Sequence, residues 1–274
     1  MKNYDDEINR ICSVIKENVT ETKSKGIVIA LSGGLDSAVV AVLSAKAMGK
    51  ENVHCYYLHY DFASSDIDKQ HIDLLCNKFG LTYDENRFVS KSPKPSFFNL
   101  VLRNVSDAVV TFMENNRLKL VFGNIMATVR MKHLRKQANE HNCLVSGTTN
   151  RSEWLIGYFT KLDDGEFDLQ PILHLYKTEI VELAKHLGIP DEIINRTPSA
   201  DLWIAQNNEK EIGMTYQKLD TILKGLDDNI GIENHKEEMH SDSYECEING
   251  VTRDEISEVI KMIERTEHKR SLSP

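Results

Sequence analysis

The segment GIVIALSGGLDSAVVAVLSAKAMG, Gly26 to Gly49, constrains the fold more than any other part of the chain. Its first seven residues, Gly26–Ser32, form a continuous run centred on the β-branched Ile27, Val28 and Ile29. That is too short for a helix and suits a buried parallel strand. After two glycines, LDSAVVAVLSAKAMG reads as a helix that stops at Gly49. The same alternation continues along the chain. VHCYYLHY is a second strand, SSDIDKQHIDLLCNKFG a helix with a serine start and a Gly80 stop, and LTYDENRFV a third strand. CLVSGTT is a further strand, and KTEIVELAKHLG a helix ending at Gly188 with Pro190 behind it. Ile8, Ile11, Ile15 and Val19 recur at helical spacing near the start, and Pro93–Glu140 reads as mostly helical with a break near Phe122-Gly123. Alternating strands and helices predict an α/β fold with a parallel sheet covered on both faces.

A chain of 274 residues can bury a large core as one α/β domain or as two small ones. The net charge of −9, from 33 basic and 42 acidic residues, disfavours non-specific binding to nucleic acid or anionic membrane. Cys12, Cys55, Cys76, Cys143 and Cys246 are scattered without a CxxC pair, which fits a reducing, cytoplasmic compartment better than a disulfide or zinc framework. No stretch has the length of a signal peptide core or a membrane span. Two segments stand apart. Asn195–Gly213 is polar and aperiodic, and reads as a lid; Asp227–Gly250 is acidic and irregular, and reads as a solvated loop. His235, His240 and Cys246 in that loop match no usual metal-ligand spacing.

A strand that runs into Ser-Gly-Gly and then a helix aims backbone N–H groups and the positive helix end at one point, which favours an anion. Ser32 and Ser37 add hydroxyls. The loop lacks the lysine of a Walker motif and the spacing of a dinucleotide fingerprint. Asp36 repels phosphate directly, so it either holds Mg²⁺ that bridges to phosphate or is a plain helix-start carboxylate. Further on, SGTTNRSE reads as a strand end, a Thr-Thr-Asn cap and a first helical turn carrying Glu153. That carboxylate either completes a metal site with Asp36 or is a surface group.

LSGGLDS resembles the signature of the PP-loop ATP pyrophosphatases at every fixed position. The resemblance implies that the loop holds the β,γ-pyrophosphate as a leaving group while AMP passes to an acceptor oxygen. G-T-x-N-x-x-E, G-Y-F-T-K, P-I-x-x-L-x-K-T-E, P-S-A-D-L-W and E-H-K-R follow in the order found in ammonia-dependent NAD⁺ synthetases, and this likeness spans roughly Ile8 to Arg270. It implies one Rossmann-like domain over residues 1–274, a homodimer, and adenylation of the nicotinate carboxylate of deamido-NAD followed by attack of ammonia. By the same resemblance Asp36 and Glu153 are Mg²⁺ ligands. Ala30, Leu31, Ser32, Gly33, Gly34, Leu35, Asp36, Ser37, Thr148, Lys177 and Ser199 are ATP contacts, with Asp36, Glu153 and Lys177 carrying catalysis. Lys161, Asp168, His268 and Lys269 are acceptor contacts, although His268-Lys269-Arg270 alone also reads as a basic tail. Glutamine-using relatives carry an extra hydrolase domain for which this length leaves no room, so free ammonia, or ammonia from a separate glutaminase, is the expected nitrogen source.

The departures from the family pattern cluster away from the ATP residues. GNIMATVRM has Thr128 where an arginine is usual, with Arg130 as a partial substitute in the acceptor site. LDDGEFD adds Asp163 and Glu166, and Asn208 replaces an aspartate in the lid. These changes leave room for a paralogue that amidates another carboxylate, such as a nucleotide-sugar uronate. A regulatory protein without catalysis is opposed by the intact Asp36, Glu153, Lys177 and Ser199. A tRNA-thiolation enzyme is opposed by the missing CxxC cysteines and basic surface.

Overall fold

In the computed structural model, described over residues 3–59, 66–87, 116–161, 167–199, 206–230 and 248–270, the first apolar run lies inside the sheet. This strand, β1 (Ile27–Ala30), pairs in parallel with β2 (Val53–His59) on one side and β4 (Leu144–Val145) on the other. Strand β3 (Tyr83–Arg87) adds to β2, giving the order β3-β2-β1-β4. The chain therefore builds outward from β1 in one direction and returns to its other side. That reversal opens a crevice at the carboxyl ends of β1 and β4, where open α/β sheets hold their ligands.

Alternation along the strands decides which layer each side chain joins. Ile27 and Ile29 of β1, with Cys55 and Tyr57 of β2, face helices α1 (Tyr4–Glu21), α2 (Leu35–Met48) and α3 (Asp66–Phe79). Val28, Tyr56 and Leu58 face Met131, Leu134 and Ala138 of α4 (Asn116–His141). Chain-terminal helices complete the molecule. A third cluster joins Leu155 and Ile156 of α5 (Arg151–Ile156) to apolar faces of α9 (Tyr216–Ile230) and α10 (Arg253–Arg265). Between them lie α6 (Lys177–Leu187), α7 (Asp191–Ile194) and α8 (Asn208–Ile212), and α11 (Glu267–Arg270) follows.

Four expectations need correction. The break at Phe122-Gly123 is absent, because α4 runs unbroken from Asn116 to His141. A helical glycine costs about 1 kcal/mol, and the α4 residues Met126, Met131 and Leu134, packed at 2% exposure or less, outweigh that local preference. CLVSGTT is strand only at Leu144–Val145, with Ser146 bridging to Leu169; beyond it the chain turns to cap α5. The presumed lid is not wholly aperiodic: Asn208–Ile212 is helical and capped by Asn207, whose Oδ1 accepts from the Lys210 N–H at 3.0 Å. The acidic loop starts later than expected, since α9 continues through Ile230. Asp163, Glu166, His235, His240 and Cys246, and the lid's centre at 200–205, lie outside the described residues.

Candidate active site

The crevice is a cavity of about 450 Å³. Its floor comes from the turn after β1, where Ala30, Ser32, Gly34, Leu35, Asp36 and Ser37 line it. The turn is tied together by hydroxyls: Ser37 Oγ donates to the Gly34 carbonyl at 3.1 Å, and Ser32 Oγ accepts from the Gly34 N–H at 3.2 Å. Leu31 instead points into the core at 2% exposure, its N–H bonded to the Tyr56 carbonyl at 2.8 Å. Gly33 faces α3 at φ +75°, a conformation glycine adopts freely.

The opposite wall comes from α5 and α6. Asn150 caps α5, its Oδ1 accepting from the Glu153 N–H at 3.0 Å, so the expected cap sets Glu153 at the cavity edge. Lys177 begins α6 and is 7% exposed. Its ammonium forms an ion pair with Asp36 Oδ2. Burial alone would lower the Lys177 pKa, but Asp36 and Glu153 outweigh it and hold the ammonium charged. For Glu153, burial dominates and pushes the carboxyl up to about 7, against the pull of Lys177 and with the help of the Asp36 charge. Thr148 and Ser199 complete the expected set at this cavity.

Several groups that hold this arrangement were not anticipated from the sequence. Tyr216 donates its hydroxyl to Glu153 Oε1 at 2.9 Å, and its ring lies 5.4 Å from the Lys177 ammonium. Asp220, 1% exposed, accepts from Ser152 Oγ at 2.5 Å and from the Thr178 N–H at 2.8 Å. Ser152 Oγ in turn accepts from the Lys177 N–H at 2.9 Å. One buried carboxylate thus knots the starts of α5 and α6, one residue away from Glu153 and Lys177. The available signal was spacing: Tyr216 and Asp220 sit four apart beside the apolar stripe Leu219, Ile222, Leu223 and Leu226. Asn208, 4% exposed, donates to the Tyr216 hydroxyl at 3.3 Å, so this departure belongs to the Glu153 network.

The residues expected at the acceptor are dispersed. Arg130 lines the same cavity, whereas Thr128 bonds back to the Asn124 carbonyl of its own helix at 2.9 Å. Asp168 is taken by Arg135 at 2.5 Å and by the Val145 N–H at 2.8 Å. Lys161 donates to the His268 carbonyl at 2.9 Å. Lys269 donates to the carbonyls of Gly157 and Phe159, both at 2.8 Å, and so closes the carboxyl end of α5. None of Thr128, Lys161, Asp168, His268 and Lys269 lines the cavity.

A phosphate-binding turn, two carboxylates and a buried ammonium at one crevice suit a nucleotide triphosphate substrate. Among the described residues no helix is long and apolar enough to cross a membrane. Comparison with known proteins agrees with the geometry. The chain is 38% identical over 269 residues to an NH₃-dependent NAD⁺ synthetase of Thermococcus sibiricus, covering 98% of this chain and 96% of that one. Among solved structures it resembles an NMN synthetase from Francisella tularensis, with a TM-score of 0.75, 26% identity, and coverage of 100% and 98% of the two chains. An NH₃-dependent NAD synthetase from Campylobacter jejuni gives a TM-score of 0.72 at 27% identity, with coverage of 100% and 99%. The NAD synthase family model matches residues 7–273, and the chain belongs to that family.

Proposed function

We propose that this chain is an ATP-dependent ligase that converts the nicotinate carboxylate of deamido-NAD to the amide, using ammonia and releasing AMP and pyrophosphate. The observation that carries this reading is the convergence of Asp36, Glu153 and Lys177 on the phosphate-binding turn across one cavity. Ser32, Gly33, Gly34 and Ser37 of the turn, with Thr148 and Ser199, bind the ATP phosphates and hold pyrophosphate as it leaves. A carboxylate oxygen of the acceptor attacks the α-phosphorus, and the bond to the β-phosphate oxygen breaks. Ammonia then attacks the acyl carbon, AMP leaves with the bonding pair, and the nitrogen loses a proton.

The residues fit a magnesium ion. Asp36 Oδ1 is buried without a hydrogen-bond partner, and the donors are hard carboxylate oxygens. Among the described residues no third His, Cys, Asp or Glu joins them, which suits an ion that keeps water and substrate phosphate as its other ligands. Asp36 and Glu153 would hold it, and when bound it supplies positive charge against the phosphate oxygens. Lys177 adds its own charge at the same place, and Asp220 fixes the backbone from which it projects. Arg130 lines the cavity from α4 and faces the acceptor; Lys161, Asp168, His268 and Lys269 belong to the acceptor side by the family pattern alone, since none of them lines this cavity.

The finer reading is one domain across residues 1–274, acting in the cytoplasm as a homodimer. Exposed Val121 and Ile125, one turn apart on α4, support self-association, and light scattering tests it. Ammonia arrives free or from a separate glutaminase. A second reading, with NMN as product, is supported by the Francisella likeness. Incubation with ATP, Mg²⁺, ammonium and either deamido-NAD or nicotinate mononucleotide decides between them. The expected result is AMP and NAD⁺ in equal amounts, no use of glutamine, and an ammonium requirement that falls as pH rises. No AMP with either acceptor sinks the reading.

A further inference from the structure

The peptide units of the phosphate-binding turn are held by side chains from outside it. Arg196 Nη1 donates to the Ser32 carbonyl at 3.1 Å. Its other terminal nitrogen pairs at 2.6 Å with Asp68, whose side chain is only 3% exposed in the first turn of α3. Three residues on, His71 Nδ1 lies 3.1 Å from the Gly33 carbonyl. A carbonyl only accepts, so this ring nitrogen is the donor. The α3 backbone sits hard against the same spot, since a Cβ on Gly33 would lie 2.6 Å from the Asp68 carbonyl oxygen.

In a trans peptide the C=O and N–H point to opposite sides. The carbonyls of Ser32 and Gly33 are occupied by Arg196 and His71, so the N–H groups of Gly33 and Gly34 are turned away from those partners. Consistent with that orientation, the Gly34 N–H meets Ser32 Oγ, which lies 3.1 Å from Ser37 Oγ at the cavity wall. Two adjacent glycines have the widest choice of backbone conformation. A flipped peptide would present a carbonyl oxygen to the anion in place of a donor.

We propose that Arg196, His71 and Asp68 are positioning residues that lock these peptide units with the Gly33 N–H, and the Gly34 N–H that rests on Ser32 Oγ, turned to the side that receives the pyrophosphate of ATP. Arg196 acts on the Ser32 carbonyl, His71 on the Gly33 carbonyl, and Asp68 through Arg196. The lock also ties the turn to the segment that carries Ser199, three residues beyond Arg196. It rests on the reading that this turn holds pyrophosphate.

Calorimetric binding of inorganic pyrophosphate and of ATP, each with Mg²⁺, to the full chain tests the lock without involving the acceptor. Arg196→Ala should weaken pyrophosphate binding about tenfold or more, and His71→Ala about threefold to tenfold, as expected for lost hydrogen bonds near charge. His71→Asn, whose amide can donate to the same carbonyl, should recover most of the loss. Asp68→Asn added to Arg196→Ala should change binding less than about twofold, because Asp68 works through Arg196. In turnover, KM for ATP should rise while KM for the acceptor stays within about twofold. Thermal melts report folding, and the His71 pair decides the matter should Asp68→Asn fail to fold. Pyrophosphate binding by His71→Ala as tight as wild type, or no recovery with asparagine, overturns the proposal. Wild type that binds neither pyrophosphate nor ATP overturns it together with the proposed function. If wild type binds both but leaves deamido-NAD unamidated, only the acceptor reading fails, and the variant series still decides the lock.

Discussion

The proposed nucleotide side and the proposed acceptor side of this molecule are built in different ways. On the nucleotide side, Asp36, Glu153 and Lys177 are tied to one another or to Tyr216, and beneath them Asp220 anchors two helix starts. On the acceptor side, the expected residues are bonded to backbone carbonyls or to partners of their own, and only Arg130 lines the cavity. The contrast teaches where chemical precision is needed. Charge at phosphate must be met by groups already in place, because preorganised dipoles and charges cost no rearrangement at the moment of reaction. Acceptor recognition can be spread over many modest contacts, and this is the side where Thr128 departs from the family pattern.

The comparison breaks most decisively at Asp36. Asp36→Asn should lower AMP formation about a hundredfold to a thousandfold or more while the protein remains folded. Removing the charge that faces the buried Lys177 ammonium costs up to about 3–5 kcal/mol of stability, so denaturant unfolding of the variant accompanies the assay. Wild-type turnover by a folded variant would remove Asp36 from the chemistry. Next in size is Asp220→Asn. An amide offers one acceptor oxygen where the carboxylate uses two, so either Ser152 or Thr178 loses its partner. The buried loss should cost about 1–3 kcal/mol in denaturant unfolding and lower kcat about tenfold to a hundredfold through misplacement of Glu153 and Lys177. A stability loss with kcat intact would reduce Asp220 to a packing role.

Thr128→Arg sharpens the acceptor side. Because Arg130 already faces the cavity two residues away, the added arginine should change kcat/KM for deamido-NAD by less than about threefold, against the tenfold that about 1.4 kcal/mol of new binding would give. A tenfold gain would show that the site was built for another acceptor. The smallest effect belongs to Glu255, whose capping box starts α10 ahead of His268 and Lys269. The hydrogen bond from Lys218, with those from Thr252, holds its carboxyl down, to about 2 from an ordinary 4.5. A depressed carboxyl stabilises the fold above its unfolded pKa and loses that contribution as pH falls through the folded value. Glu255→Gln should therefore melt below wild type at pH 7, and the gap should close between pH 4.5 and pH 2. Its ATP affinity should not change. A gap that persists at the acid limit would mean that charge is not its source.

Local chemistry made part of this protein readable in advance. The β-branched run of β1, the Ser-Gly-Gly turn, the Asn150 cap and the glycine after α6 each follow from neighbouring residues, and each formed as expected. The positions of Asp36 and Glu153 at the cavity follow from those elements. The preference of Gly123 to interrupt a helix was equally legible, yet it was overridden by core packing along α4. What the sequence could not reveal lies in contacts between distant segments. Tyr216 reaches Glu153 across 63 residues, Asp220 reaches Ser152 across 68, and Arg196 reaches the Ser32 carbonyl across 164. Propensity and spacing act within a few turns of chain, whereas these partners meet only after the sheet and its helices have packed. Tertiary structure alone therefore decided which groups lock the phosphate-binding turn and which residues stand behind Glu153 and Lys177.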